Sequence, residues 1–177
     1  MYQEKTIRTE LIFTGNILSL RVDTIKLGED KTATREIVEH GGAVCMVALN
    51  EKNQILLVRQ FRKPIEKYLL EIPAGRLEKG EDPSIAAGRE LREETGYRAE
   101  DLKFIGKFYT APGFTDEIMF AYLAQNLSLD PLEPDEDEFV ELIEIDRDKF
   151  EEMILSGEIE DGKTIAALNL AKQYISS

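Results

Sequence analysis

The sequence predicts a mixed α/β chain: one main domain, residues 42–177, carrying a small N-terminal subdomain of antiparallel strands, residues 1–41. Three observations predict it. A length of 177 residues suits one full core and is too short for two ordinary domains. Strand-like apolar runs separated by turn residues dominate the first half and the middle of the chain. Helix punctuation brackets residues 83–95, and helical spacing returns near the C-terminus.

From Ile12 to Glu39, IFTGNILSLRVDTIKL and TATREIVEH alternate loosely around the turn-like GEDK, as short antiparallel strands do. So small a group is marginal alone and must pack on the main domain or on a second subunit. The single histidine, His40, stands beside Gly41 and Gly42 and reads as a loop residue. GAVCMVALN and QILLVRQFR read as two apolar strands joined through Glu51 to Gln54. Cys45, the single cysteine, forms no internal disulfide and suits a strand core as a small hydrophobe. A short strand, YLLEIPAG, leads into a glycine-bracketed loop. Asp82 suits an N-cap, Pro83 the first helical position and Gly96 a left-handed cap beyond the helix end. Strands are expected at LKFIGKFYT, EIMFAYLAQ and FVELIEI, with loops at APGFTD and LDPLEPDEDE. Helices are expected at KFEEMIL and IAALNLAKQYI, the second opened by Asp161 and Gly162.

Composition narrows the function classes. The longest apolar stretch, Ala43 to Leu49, is far short of the roughly 18 residues a membrane helix needs. MYQEKTIRTE lacks the apolar core of a secretory signal, so a cytoplasmic location is the expectation. Lys plus Arg total 22 against 35 Asp plus Glu, and the net charge of −13 argues against a nucleic-acid partner. An anionic small molecule would need help to bind, and a metal ion is one source of it.

The segment GRLEKGEDPSIAAGRELREETGY, residues 75–97, groups its carboxylates in a way that helix geometry makes meaningful. At about 3.6 residues per turn, Glu90, Glu93 and Glu94 share one face. Like charges so spaced destabilise an isolated helix by about 0.2–0.5 kcal/mol per pair, and the dipole disfavours anions at a C-terminal end. Ala86 and Ala87 leave the preceding turn uncrowded. Hard divalent cations take such oxygen ligands, although a solvated helix with Arg89 paired to Glu93 has the same pattern.

The full spacing, G-x(5)-E-x(7)-R-E-U-x-E-E-x-G-U with U a bulky apolar residue, resembles the Nudix box. Gly75, Glu81, Arg89, Glu90, Glu93, Glu94 and Gly96 fill the fixed positions, with Leu91 and Tyr97 at the U positions, Tyr97 being a mild departure. The resemblance implies an α/β/α sandwich around a mixed sheet, with the N-terminal β subdomain often exchanged across a homodimer. It also implies a loop, helix and loop holding Mg2+ or Mn2+ through Glu90, Glu93, Glu94 and the backbone carbonyl of Ala74. Gly75, Glu81 and Gly96 would shape the motif. Arg89 would brace the loop with Glu81 and so serve catalysis.

Outside the box the chain resembles the ADP-ribose pyrophosphatase branch. Pro112 lies fifteen residues beyond the box, where that branch has its marker proline, and APGFTDE resembles the surrounding loop, placing Pro112 and Gly113 at the substrate and Glu117 at the terminal ribose. VRQFRKPIEKYLLEIPAG resembles the segment whose arginine, here Arg62, meets the diphosphate; Arg59 reads as a surface charge. TREIVEHGG resembles the part whose arginine, here Arg35, reaches a neighbouring subunit's site, and Ile17 would line the adenine pocket. A catalytic base is expected in PDEDEFVEL, at Glu138 or Glu136. The implied reaction is metal-dependent hydrolysis of ADP-ribose to AMP and ribose 5-phosphate. The alternatives are another nucleoside diphosphate sugar, such as GDP-mannose, or a non-catalytic nucleotide sensor.

Overall fold

The computed structural model describes residues 3–133 and 139–175. The chain divides into two compact units: the residues up to Gly42 together with Tyr109–Ile118, and Ala43–Phe108 together with the described residues from Met119 onward.

The first unit is a three-stranded antiparallel sheet in the order β1 (Lys5–Thr14), β2 (Leu18–Leu27), β3 (Lys31–His40). Its strands are each ten residues long, and β1 begins well before Ile12, where the alternation in the sequence becomes visible. The physical reason is exposure: every residue of β1 is exposed, so no buried face imposes a period of two on its sequence. Buried Asp23 of β2 ties the sheet together by accepting from the Thr9 hydroxyl at 2.8 Å. His40 is not a loop residue; it ends β3 opposite Leu18, and Gly41 and Gly42 begin the connection only after it. The segment 109–118 joins this unit through the Val38 N–H, which donates to Phe114 O at 2.8 Å, and the Asp116 N–H, which donates to Val38 O at 3.2 Å.

The second unit contains β4 (Ala43–Leu49), β5 (Gln54–Arg62), β6 (Lys67–Glu71), β7 (Ala74–Arg76), α1 (Pro83–Thr95), β8 (Tyr97–Tyr109), β9 (Ile118–Leu129), β10 (Glu141–Asp146), α2 (Phe150–Ser156) and α3 (Gly162–Ile175). Among the described residues its sheet has seven strands: the order is β10-β5-β4-β9-β8, with β6 beside β5 and β7 beside β4. The β4–β9 pair is parallel, whereas β4–β5, β4–β7, β5–β6 and β5–β10 are antiparallel, so the sheet is mixed.

Every residue of β4 is buried, as expected of a strand covered on both faces. Because successive side chains point to opposite sides, Val44, Met46 and Ala48 pack with Ala86, Ala87 and Leu91 of α1. Cys45, Val47 and Leu49 pack with Phe150 of α2 and with Ala167, Leu168, Ala171 and Ile175 of α3. This gives the α/β/α sandwich. Burial pushes the Cys45 thiol up to about 12, in keeping with its reading as core.

Candidate active site

The site is built where β7 hands the chain to α1. Residues Ala74–Arg76 pair antiparallel with Ala43–Cys45, which seats the start of the box against the central strand. The loop that follows closes on itself: the Glu81 N–H donates to Glu78 O at 3.0 Å and the Glu78 N–H donates to Glu81 Oε2 at 3.0 Å. Asp82 caps α1 by accepting from the Ser84 N–H at 2.8 Å, and Pro83 opens the helix where its missing N–H costs nothing. Gly96 ends it with φ +76°, a left-handed conformation, its N–H donating to Arg92 O at 3.0 Å. Tyr97 packs half-buried against the α1 side of the sheet, so an aromatic ring serves where a bulky apolar residue is usual.

Arg89 organises the carboxylates. Its Nε and Nη2 each lie 3.2 Å from one oxygen of Glu81, a bidentate grip. Its Nη1 donates to Glu90 Oε1 at 2.8 Å and Glu93 Oε2 at 2.9 Å, and Nη2 also reaches Arg76 O at 3.3 Å. The hydrogen bonds with Glu81 raise the Arg89 guanidinium further above its ordinary range and hold the Glu81 carboxyl below its own. Glu94 accepts from the Ala74 N–H at 2.8 Å. Glu90 and Glu94 are only 7% and 6% exposed.

Among the described residues, no three acidic, histidine or cysteine side chains are gathered at metal-coordinating distance. The donor set nonetheless suits a hard divalent cation. It is all oxygen, it lies on one helix face, and Arg89 is shared among Glu81, Glu90 and Glu93. Burying carboxylates is costly without added positive charge. The chain also makes room for Glu90 where β7 has no side chain, at Gly75.

The structure thus brings Ala74, Gly75, Glu81, Arg89, Glu90, Glu93 and Glu94 to one place, while Gly96 closes the far end of α1, where its carbonyl accepts from the Asp130 N–H at 3.0 Å. Arg62 belongs to the same unit and feels the charge of Glu94, but its nearest partner is Glu71: Nε donates to Oε1 at 2.7 Å and Nη2 to Oε2 at 2.6 Å. Arg59 lies on the surface near Glu141. Pro112, Gly113, Glu117, Arg35 and Ile17 all lie in the first unit. Pro112 and Gly113 form a turn in which the Phe114 N–H returns to Ala111 O at 3.1 Å. Glu117 accepts from the Thr110 hydroxyl at 2.5 Å, Arg35 pairs with Glu4, and Ile17 is exposed. Glu136 and Glu138 fall outside the described residues.

Sequence reasoning missed Glu71 and the group around it, Lys163, Asp161 and Thr164. A signal existed: Glu71 closes the apolar YLL run, and a carboxylate at a core position must be paired. Asp161 reads from sequence as a helix cap alone, because its second partner, Lys163, and the strand that Lys163 serves are far apart in the chain.

Comparison with known proteins agrees with this geometry. A protein named methanol dehydrogenase activator, from Bacillus methanolicus, is 48% identical over 170 residues, covering 95% of this chain and 92% of that one. The ADP-ribose pyrophosphatase of Bacillus subtilis (strain 168) is 48% identical over 168 residues, 94% of this chain and 91% of that one. The fold matches a crystal structure described as an ADP compounds hydrolase, with a TM-score of 0.88, 23% identity, and coverage of 99% of this chain and 95% of that one. The NUDIX domain model matches residues 39–168, a span that contains the whole of α1 and its carboxylates, and the chain belongs to the NUDIX family.

Proposed function

We propose that this protein hydrolyses the pyrophosphate linkage of ADP-ribose, with Mg2+ or Mn2+ as cofactor, releasing AMP and ribose 5-phosphate. The observation that carries the reading is the placement of Glu90, Glu93 and Glu94 on one face of α1, two of them buried, beside the Ala74 backbone. The substrate is supported by the 48% identity, over most of both chains, to a protein named ADP-ribose pyrophosphatase. The activator's name describes an effect on another enzyme rather than a bond cut, so the two relatives do not conflict.

Glu90, Glu93, Glu94 and the Ala74 carbonyl would hold the cation. When bound, it supplies positive charge to the phosphoryl oxygens and lowers the pKa of nearby water. The protein's own groups do the rest. Arg89 keeps Glu90 and Glu93 turned to one side, and Arg62 meets the diphosphate with its guanidinium. Glu138 or Glu136 takes the proton from the attacking water. Water adds to one phosphorus, the bridging oxygen leaves with the other phosphate, and the atoms of one water are divided between the two products.

A homodimer is part of the same reading. Ile7, Leu11, Ile12, Phe13, Ile17 and Leu18 are large apolar residues exposed in the first unit, and a second copy would cover them. Arg35, Ile17, Pro112, Gly113 and Glu117 would then serve substrate recognition. No helix among the described residues is long and apolar enough to cross a membrane. We assign the activity to the cytoplasm.

The test is a panel of ADP-ribose, other ADP-sugars and GDP-mannose with Mg2+ or Mn2+, with products identified by chromatography. ADP-ribose should give AMP at the highest kcat/KM. Glu94→Gln should lower turnover by about 100-fold or more, beyond what loss of an outer-shell partner does. Binding of ADP-ribose with metal but no AMP release would overturn the reading.

A further inference from the structure

Glu71 is a fully buried carboxylate that lies outside the box. Each of its oxygens is used. Oε1 accepts from Arg62 Nε, while Oε2 accepts both from Arg62 Nη2 and from Lys163 Nζ. The double grip leaves Arg62 Nη1 with no hydrogen-bond partner among the described residues, and the side chain is 39% exposed. Arg62 is thus held by one edge and offers the other.

Lys163 does not reach Glu71 by chance of a flexible surface chain. Its side chain is largely buried, and Nζ is also 3.1 Å from Asp161 Oδ2. Asp161 fixes the start of α3: the same oxygen accepts from the Thr164 N–H at 2.9 Å and the Thr164 hydroxyl at 2.6 Å. That hydroxyl accepts in turn from the Ile72 N–H at 2.9 Å. The first turn of α3 therefore clamps two consecutive residues, Glu71 by its side chain and Ile72 by its backbone, just before the chain enters Ala74. A buried lysine is rare unless it is paired, and an apolar residue would fill the space at less cost.

We propose that Lys163 is a positioning residue for the hydrolytic site: by holding the buried Glu71, it fixes the bidentate grip that aims the guanidinium of Arg62 at the diphosphate of the substrate. This rests on the reading of Arg62 as a diphosphate contact. Lys163 itself touches no substrate; it acts through Glu71. Burial alone would raise the Glu71 carboxyl, but the hydrogen bonds and charges of Arg62 and Lys163 outweigh it and hold it below its ordinary value. Glu71 is accordingly an anion that both cations share.

The experiment compares full-length Lys163→Met, Lys163→Arg, Glu71→Gln, Glu71→Gln/Lys163→Met and Arg62→Ala. Three quantities are measured: KM and kcat for ADP-ribose at saturating Mg2+, calorimetric Kd for its α,β-methylene analogue, and the melting temperature. Lys163→Met should raise KM and Kd about tenfold with kcat within about threefold, and Lys163→Arg should recover most of the loss. In the Glu71→Gln background, adding Lys163→Met should change KM and Kd by less than about twofold, since the two act as one unit. Because the double variant removes both charges together, it remains informative if Lys163→Met alone does not fold. Unchanged KM and Kd in folded Lys163→Met, or full additivity with Glu71→Gln, overturns the proposal while a defective Arg62→Ala leaves the reading of Arg62 standing. A silent Arg62→Ala overturns that reading and this proposal with it.

Discussion

A Cβ placed on Gly75 would lie 1.8 Å from Cδ of Glu90. Gly75 is therefore a glycine for space, whereas Gly96, at φ +76°, is one for backbone conformation. A new methyl group would push the buried Glu90 carboxyl out of its place beside Arg89. Gly75→Ala should lower kcat/KM by about 100-fold and destabilise the fold by about 1–3 kcal/mol. Steady-state kinetics with a urea unfolding curve would check both, and unimpaired kinetics would count against a role for Glu90.

Arg89 uses the fork of its guanidinium to hold three carboxylates and a carbonyl. A lysine ammonium has the charge without the planar fork. Arg89→Lys should destabilise the protein by about 1–3 kcal/mol and cost activity more than tenfold. The paired readout is the urea midpoint and kcat; a lysine variant with the wild-type values of both would show that charge alone suffices.

Acid stability should report on Glu71. Its folded pKa lies below the ordinary value of 4.5, so its contribution is fully present above that value and is lost as pH falls through the lower, folded one. Glu81, held down by Arg89, adds loss of the same sign. The wild-type melting temperature should fall below pH 4.5. Glu71→Gln should start lower at neutral pH and fall less steeply, and parallel curves would remove Glu71 from this account.

Cys45 should be inert in the folded protein. Its thiol is fully buried and is pushed up to about 12, so almost no thiolate forms near pH 8. Iodoacetamide should leave the native chain unmodified and label it once in guanidinium, as read by intact mass. Rapid native labelling would mean that β4 opens readily.

The box was legible because its constraints are local. Caps, helix phase and loop closure act within residues 75–97, so one stretch of sequence carries the positions of Gly75, Glu81, Arg89, Glu90, Glu93 and Glu94. The sandwich was implied by the resemblance to the Nudix family, and β4, apolar and buried at every position, agrees with a strand between two helical layers. Glu71 and Lys163 were not legible, because 92 residues separate them and only the folded chain brings them together. The full extent of β1 was hidden by its exposure, since a strand with no buried face leaves no period. The return of residues 109–118 to the N-terminal strands was hidden because its bonds, the two at the Val38 backbone and the one from the His40 N–H to Asp116 Oδ1, join residues some 76 positions apart in the chain.

The alternation along β4 separates two kinds of tuning. Substitutions at Val44, Met46 or Ala48 alter the bed of α1 and thus of Glu90 and Glu94, while those at Cys45, Val47 or Leu49 alter the bed of α3, from which Lys163 projects. Neighbouring codons in one short stretch of the gene can therefore adjust the helix that carries Glu90, Glu93 and Glu94 and the helix that carries Lys163 almost independently. A directed-evolution library confined to these six codons would sample both without touching a single polar group of the site.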